Sequence, residues 1–230
     1  MIRREESGVQ WLEFELFAGM PGIVHGILLR QGGEENRDRM LRALRISQVA
    51  SCIQVHGDRV IHEDDGYQST EECDGMITKT GDLALMIKHA DCQAAIFYDP
   101  VHRALANVHA GWRGNVKNIY RATVEKMGGE FGTRPEDLLV GISPSLGPKN
   151  AEFRNFRVEL PEEFWGFQST PTYFDLWAIA RMQLEQCGIA PHHIEIAGMC
   201  TVEQHQDFYS YRRDKAKCRN NATFAMLTAS

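Results

Sequence analysis

The sequence predicts a mixed α+β or mixed α/β fold, with one domain that covers residues 1–230. Segments of strand character alternate with segments of helical periodicity, which favours a layered arrangement of both element types. Two of the strand segments are separated by a short turn and predict an antiparallel hairpin. The 230 residues contain neither an internal repeat nor a linker rich in Pro, Gly or Ser, so one domain accounts for the chain.

The composition argues against several classes of partner. The net charge is −6, so no overall basic field attracts nucleic acid or an anionic membrane surface. No stretch reaches the ~20 apolar residues of a membrane span. No apolar segment follows Arg3 and Arg4 as it would in a secretory signal. We therefore expect a cytoplasmic protein whose six cysteines are reduced.

The predicted strands are short apolar runs bounded by turn residues, the pattern of strands that are buried in a sheet. In chain order they are Gly22–Leu29, Val49–Val55, Asp74–Thr78, Leu83–Lys88, Ala94–Tyr98, Ala104–Val108, Leu138–Ile142, Ile194–Ala197 and Ala222–Leu227.

The predicted helices are segments whose apolar residues recur every three or four positions. The first covers Asn36–Arg45 with Asn36 as its N-cap, and the second covers Asn115–Met127 and is stopped by Gly128 and Gly129. A short helix is expected at Pro161–Phe167. The last helix, Asp175–Cys187, is capped by Asp175 and ended by Gly188.

The hairpin places a cysteine and a histidine at the same end of two strands. If Tyr98 pairs with Ala104, Cys92 lies opposite Ala110, and a shift of one residue places Cys92 opposite His109. Side chains that face each other across such a pair are roughly 5 Å apart at Cβ, which suits two ligands of one metal ion. The alternative interpretation is that Cys92 is a small buried core residue.

A third ligand is expected from another strand end, and His56 is the best candidate because it directly follows an apolar run. His56, Cys92 and His109 with an open fourth position resemble the ligand set of catalytic zinc. Imidazole and thiolate also suit copper, so copper is the alternative metal. His89 is the next candidate ligand, and Asp91 is a candidate acid/base group or a residue that orients a ligand.

An anion site is predicted beside the metal site. The turn from Gly111 to Asn115 contains Arg113 and leads into a helix, whose N-terminal N–H groups and arginine suit phosphate. A plain tight turn with a surface arginine is the alternative. Arg30, in the turn Arg30–Gly33, and Arg213, in a basic cluster near the C-terminus, are further candidates for substrate or phosphate binding.

The chain resembles the YfiH family, which is also called the multicopper polyphenol oxidase or laccase-domain family. The segments that carry the resemblance follow one another along almost the whole chain. They are His25-Gly26, Arg30–Gly33, Gln54–Gly57, Asp74–Thr78, His89–Cys92, Asn107–Gly114, Gly141–Pro148, Tyr209–Asp214 and Arg219.

The resemblance implies a layered α/β/β/α sandwich similar to the catalytic domain of cytotoxic necrotizing factor. It implies metal ligation by His56, Cys92 and His109, the same residues that the sequence pattern indicates. The activity that it implies is zinc-dependent phosphorolysis of adenosine, inosine, guanosine and methylthioadenosine, together with deamination of adenosine. Nucleoside and phosphate are then the small-molecule partners. Glu152 is a candidate catalytic group with Cys92, His109 and Asp91.

The chain departs from the family at Gly147–Phe153. The family commonly has Gly-Pro-Cys-Cys-Tyr-Glu-Val there, whereas this chain has Lys149 and Asn150 in place of the two cysteines and keeps Glu152. The expected metal ligands are unaffected, and the change bears on substrate preference.

Three other functions use the same residues. The first is a cysteine hydrolase or amidase, in which Cys92 is the nucleophile and His109 its base. The resemblance also implies this activity, since a role in editing peptidoglycan precursors is assigned to some bacterial members of the family. A copper polyphenol oxidase, the older family assignment, needs more clustered histidines than the sequence offers. A non-enzymatic metal-binding module needs a closed site with a fourth ligand, from Cys52, Cys73, His89 or Cys200.

Overall fold

Two β-sheets pack face to face through a shared apolar layer in the computed structural model, which describes residues 1–31, 33–65 and 68–228. The strands of the described residues are β1 (Ile2–Glu6), β2 (Val9–Glu13), β3 (Ile23–Leu28), β4 (Gln48–Ile53), β5 (Val60–His62), β6 (Gln68–Glu72), β7 (Gly75–Thr78), β8 (Leu83–His89), β9 (Gln93–Asp99), β10 (Ala104–Ala110), β11 (Leu139–Ile142), β12 (Gln168–Thr170), β13 (Tyr173–Phe174), β14 (Ile194–Ile196) and β15 (Asn221–Leu227).

Among these residues the first sheet has the strand order β1-β2-β3-β15-β8-β4-β6, and the second has the order β14-β11-β9-β10-β7-β5. Strands β12 and β13 form a separate pair. The inner faces contribute Ile27, Leu85 and Ala225 from the first sheet and Ile96 and Leu105 from the second to one buried cluster. Both sheets mix parallel and antiparallel pairs, in agreement with the predicted mixed α/β class.

Helices cover the outer face of each sheet. They are α1 (Gly33–Ala43), α2 (Trp112–Val116), α3 (Ile119–Phe131), α4 (Phe156–Glu159), α5 (Leu176–Gln186) and α6 (Tyr211–Asp214). Met40 of α1 shares a buried cluster with Phe224 of the first sheet. Tyr120 of α3 and Leu184 of α5 share another with Phe97 of the second. The order helix, sheet, sheet, helix confirms the layered α/β/β/α prediction. The likeness to cytotoxic necrotizing factor stays a prediction.

Two helix boundaries differ from the sequence predictions. Helix α1 begins at Gly33, so Asn36 lies one turn inside it and is buried. The predicted helix after Gly114 is broken at Asn118, whose φ of 58° starts a new helix and whose side chain accepts a hydrogen bond from the backbone N of Arg121. Asparagine is one of the few residues that tolerate this left-handed conformation.

The same helix, α3, continues through Gly128 and Gly129 and ends at Gly132, where φ is 74°. Gly128 and Gly129 weaken the helix but do not end it, and the helix ends where Gly132 adopts the left-handed C-cap conformation. The helix α5 agrees with its prediction, because Asp175 accepts hydrogen bonds from the backbone N of Trp177 and Ala178. The sequence patterns missed β1, β2, β5, β6, β12 and β13, most of which are short or rich in charged and polar residues. None of the helices in the described part of the chain has both the length and the apolar character needed to cross a membrane.

Candidate active site

The three residues predicted as metal ligands meet at one end of the two sheets. The ligand atoms of His56, Cys92 and His109 all lie within 4.8 Å of one another. The two imidazole rings are perpendicular, with centroids 4.7 Å apart. His56 follows β4 of the first sheet, His109 belongs to β10 of the second, and Cys92 lies in the crossover from β8 to β9.

The hairpin register differs from the prediction by one residue. Ala104 pairs with Asp99 rather than Tyr98, and His109 pairs with Ala94. The turn is shorter than expected because the Asp99 carboxylate accepts hydrogen bonds from the backbone N of Val101 and His102 at 2.9 and 3.0 Å. Cys92 therefore lies just before the first paired residue of β9, and it reaches His109 from the end of the hairpin rather than from a cross-strand position.

Asp74 organises the site, and sequence reasoning gave it no role there. Its fully buried carboxylate accepts hydrogen bonds from the backbone N of Val55, His56 and Gly57 at 3.2, 2.9 and 2.6 Å. The Nδ1 atom of His109 lies 2.7 Å from its Oδ1. One carboxylate thus fixes the loop that presents His56, whose φ is 61°, and leaves Nε2 of His109 to face the cluster.

The thiol and the imidazole in this cluster favour their charged forms. Burial raises the pKa of Cys92, but hydrogen bonds from His109 and His56 outweigh it and lower the pKa to about 7. Burial lowers the pKa of His109, but its hydrogen bonds to Asp74 and Cys92 raise the pKa to about 9. The cluster therefore holds a thiolate near neutral pH, which is the form of cysteine that binds a metal ion.

Gly111 leaves the space in which the cluster assembles. A Cβ atom at this position would lie 2.8 Å from Cδ2 of His56 and 3.1 Å from the sulfur of Cys92. The first contact is closer than van der Waals packing allows and the second is tight, so a side chain here would push the His56 ring away and press on the Cys92 sulfur. The sequence shows a glycine in a turn, but the reason for it is this approach of His56 from a separate strand.

His89 lies outside the cluster. Its ring is buried, and Nε2 lies 2.8 Å from the hydroxyl oxygen of Thr223 on the neighbouring strand β15. Burial lowers the pKa of His89 to about 3, so the ring is neutral. Its position beside Cys92 in the sequence follows from the crossover between sheets and does not make it a ligand.

The two candidate proton-transfer groups differ in their surroundings. The Asp91 carboxylate accepts hydrogen bonds from the Thr201 hydroxyl at 2.7 Å and from the backbone N of Arg212 at 2.5 Å. The Glu152 carboxylate accepts one hydrogen bond, from Nε of Arg154 at 3.0 Å. Both residues line the same cleft as the cluster, and Glu152 has the larger share of its acceptor capacity free.

The cluster opens into a cleft of about 1220 Å³. The lining combines aromatic and apolar side chains, among them Trp112, Phe153 and Leu176, with five cationic residues. The cations are Lys88, Arg113, Arg154, Arg212 and Lys215. The Arg113 guanidinium lies over the ring of Trp112, 4.2 Å from its centroid. The predicted anion-binding turn therefore lies in the same cleft as the cluster.

The other two arginines named from the sequence are not in the lining of this cleft. Arg30 lies over the Tyr209 ring and donates from Nη1 to the carbonyl of His205. Arg213 donates to both oxygens of Asp214, at 2.8 and 2.7 Å, and to the carbonyls of Thr201 and Phe208. These contacts give both arginines structural roles. Gly32, in the turn after Arg30, lies outside the described residues.

The loop that departs from the family pattern lies beside the cleft. Asn150 donates from its amide to the sulfur of Cys200 at 3.4 Å and to the Glu203 carboxylate at 3.1 Å. From this loop, Glu152 and Phe153 line the cleft, but Lys149 and Asn150 do not. The two positions at which the chain departs from the family pattern therefore lie outside the lining of the cleft.

The fold and the site together define a two-sheet protein with a candidate metal centre in a basic cleft. The chain belongs to the family described as multi-copper polyphenol oxidoreductase laccase, whose sequence profile matches residues 30–228.

Individual relatives agree with this assignment. A protein of Bacteroides thetaiotaomicron named purine nucleoside phosphorylase is 29% identical over 244 residues, which cover 88% of this chain and 90% of that protein. The crystal structure of YlmD from Geobacillus stearothermophilus superimposes with a TM-score of 0.87 at 25% identity and covers 99% of each chain. The Bacillus licheniformis hypothetical protein YfiH gives the same TM-score at 24% identity, covering 98% of this chain and 99% of that one. The predicted YfiH resemblance is confirmed.

The residues of the cluster fit a metal ion. Two imidazoles and one thiolate are donors that both copper and zinc accept, and their mutual distances allow one ion to contact all three. The Asp74–His109 contact is the kind of carboxylate–histidine pair that commonly supports a metal ligand. Because Gly111 has no Cβ, the His56 ring and the Cys92 sulfur can approach closely enough to share an ion with His109.

Proposed function

We propose that this protein is a zinc-dependent enzyme of purine nucleosides. The observation that carries the proposal is the convergence of His56, Cys92 and His109 on one point in the lining of a large basic cleft. The relatives named purine nucleoside phosphorylase support the substrate class. The proposed reactions are phosphorolysis of adenosine, inosine, guanosine and methylthioadenosine, and deamination of adenosine, so nucleoside and phosphate are the small-molecule partners.

Zinc is the proposed metal because three protein ligands with an open position are typical of catalytic zinc. When bound, the ion supplies Lewis-acid chemistry to a substrate or water molecule. The protein side chains keep the donors in place: Asp74 holds the His109 ring and the His56 loop, and the cluster lowers the pKa of Cys92. Copper stays the alternative metal.

Proton transfer is assigned to Glu152 ahead of Asp91. In phosphorolysis a phosphate oxygen attacks C1′ of the ribose, the glycosidic bond breaks, and the departing purine takes the electron pair and needs a proton. In deamination water adds at C6 and ammonia leaves. The Asp91 carboxylate is engaged by Thr201 and Arg212, so Glu152 is the cleft carboxylate better able to move a proton in either reaction. Arg113 is the proposed contact for phosphate.

The direct test is an assay of zinc-loaded protein with each nucleoside in the presence and absence of phosphate. Chromatography should detect free base and ribose 1-phosphate, or 5-methylthioribose 1-phosphate from methylthioadenosine, only with phosphate. It should detect inosine from adenosine without phosphate. Absence of all products at full zinc occupancy would refute the proposal.

Paired cysteine variants separate the cluster from the rest of the cleft. Cys92→Ser should lose stoichiometric zinc and both activities together. Cys218→Ser, which changes a second cysteine of the same cleft, should keep them. Activity that survives in the Cys92 variant would contradict the assignment.

A cysteine hydrolase or amidase acting on peptidoglycan precursors is the second candidate, because the Cys92 sulfur and a ring nitrogen of His109 lie within 4.8 Å of each other. A nucleophilic thiolate needs no ion. The metal-free protein would then be active and would be inactivated by iodoacetamide, whereas the zinc enzyme would be inactive without its metal.

Two further alternatives have less support. In the described residues the metal-compatible group of His, Cys, Asp or Glu side chains has three members, all in this cluster. A multicopper oxidase needs several such groups, and a storage module needs a fourth protein ligand. Cys52, Cys73, His89 and Cys200 are not members of the cluster.

A further inference from the structure

Arg212 is held in the cleft wall by two contacts. Its backbone N donates to the Asp91 carboxylate at 2.5 Å, and its Nη2 donates to the backbone carbonyl of Glu152 at 3.4 Å. Asp91 precedes Cys92 in the chain, so the first contact ties Arg212 to the loop that presents the thiolate. The side chain is half-buried and lines the cleft.

The acidic groups around Arg212 are already engaged by other donors. Asp214 binds Arg213, Glu152 binds Arg154, and Asp91 binds the Thr201 hydroxyl. Within the residues that the structure describes, the Arg212 guanidinium forms no ion pair with a carboxylate. A guanidinium that lines a cleft without a carboxylate partner has its charge available to an anionic ligand.

The neighbouring arginine has the opposite character. The Arg213 guanidinium uses its Nε, Nη1 and Nη2 donors on Asp214 and on three backbone carbonyls. Arg212 donates one N–H of Nη2 to the Glu152 carbonyl, and its Nε and Nη1 groups remain available to another acceptor. Of these two adjacent arginines, Arg213 therefore stabilises the fold and Arg212 lines the cleft.

The free donors suit a tetrahedral oxyanion. A guanidinium binds phosphate through two parallel N–H groups, either those of Nε and Nη2 or those of Nη1 and Nη2, and the Nη2 of Arg212 keeps one N–H after its bond to the Glu152 carbonyl. Lys215, three residues after Arg212, lines the same cleft, and Arg113 contributes a second guanidinium to it. All three cations line the cleft that a phosphate dianion would enter.

We propose that Arg212 binds the phosphate co-substrate, together with Arg113. The inference rests on the proposed phosphorolysis and adds to it the residue that sets the affinity for phosphate. Arg213, the residue that the sequence pattern indicated, then acts by holding the segment in place.

The test compares Arg212→Gln with Arg212→Lys and with Arg157→Gln, a control that removes the same charge from a residue outside the cleft lining. In Arg212→Gln we expect the KM for phosphate to rise about tenfold or more, from the loss of charge-assisted hydrogen bonds. The KM for inosine, the zinc content and the phosphate-independent deamination of adenosine should stay as in the wild type. Arg212→Lys should recover part of the phosphate affinity, and Arg157→Gln should match the wild type.

A calorimetric titration of the zinc-loaded proteins with inorganic phosphate, in the absence of nucleoside, supplies a second readout. Affinity that is weaker in Arg212→Gln than in the wild type supports the inference, even if the wild type proves to have no phosphorolysis and the proposed function fails. Equal phosphate affinity in both proteins overturns it, as does a rise in the KM for inosine with an unchanged KM for phosphate. If Arg212→Gln does not fold, as judged by circular dichroism, the same comparison is made with Arg212→Lys.

Discussion

The carboxylate of Asp74 lies 2.7 Å from Nδ1 of His109 and also accepts hydrogen bonds from three successive backbone N–H groups, at residues 55–57. A single buried side chain therefore positions two of the three candidate ligands, one from each sheet. This makes Asp74 a positioning residue, since it contacts the ligands and not the reacting atoms.

Replacement of Asp74 by asparagine should weaken zinc binding by about 10- to 100-fold, because the amide supplies one acceptor where the carboxylate supplies two. Competition with a zinc chelator measures this affinity in the folded protein. Asp99→Asn is the matched control: Asp99 is also fully buried and lies 2.8 Å from Nδ1 of His102, at the other end of the hairpin. Equal zinc affinity in the Asp74 variant and the control would contradict the assigned role.

Substitution of Gly111 by alanine should abolish stoichiometric metal binding, because its Cβ would lie 2.8 Å from the His56 ring and 3.1 Å from the Cys92 sulfur. Metal analysis of the purified variant checks this. Gly129→Ala in α3 meets no atom within 4 Å, so it should keep the metal and stabilise the protein by about 0.5–1 kcal/mol. A Gly111 variant with full metal content would contradict this prediction, because the three ligands could then move apart and still bind the ion.

The buried His25 should make stability depend on pH. Burial lowers its pKa from the ordinary value of 6.5 to about 4, while its Nε2 accepts a hydrogen bond from the backbone N of Phe14. A lowered folded-state pKa means that the unfolded chain takes up the proton first. The contribution to stability, about 3 kcal/mol, is therefore complete above pH ~6.5 and is lost as the pH falls toward 4.

Urea denaturation at several pH values measures this dependence. His25→Gln can keep the hydrogen bond from Phe14 through its amide oxygen but cannot titrate, so the decrease in stability between pH 6.5 and 4 should be smaller than in the wild type. Parallel curves for the two proteins would mean that His25 is not responsible.

Asn118 should be more sensitive to alanine than to glycine. It combines a φ of 58° with an N-cap hydrogen bond to the backbone N of Arg121. Alanine loses the cap and strains the backbone, for an expected cost of about 2 kcal/mol, whereas glycine fits the conformation and costs a few tenths. Thermal denaturation of the two variants gives the order, and an equal loss in both would indicate that the backbone conformation carries no strain.

Local patterns predicted most of the strands near the site and the convergence of its three candidate ligands. A short turn holds Cys92 and His109 at one end of the hairpin whatever the register, so an error of one residue left their proximity intact. His56 could be inferred because polar residues that directly follow a buried strand often lie at the edge of a sheet.

The remaining site residues depend on contacts between distant parts of the chain. Asp74 precedes a strand and shows no local sign that the loop at residues 55–57 will fold onto it. Arg212 and Arg213 are adjacent on a helix of four residues, and their side chains bond the Glu152 carbonyl and the Asp214 carboxylate, contacts that no period in the sequence indicates. The break at Asn118 was missed because the apolar period continues across it.

The crossover from β8 to β9 places the candidate metal centre at the junction of the two sheets, with His56 on the side of the first and His109 on the side of the second. An ion held there would connect the two sheets, which also meet through the apolar layer and through hydrogen bonds from the Asn107 amide to the carbonyls of Leu85 and Thr223. The unfolded chain has no such junction, so each gain in the affinity for the ion is also a gain in the free energy of unfolding. The melting temperature would then rank metals by how tightly the folded protein binds them, before any substrate is added.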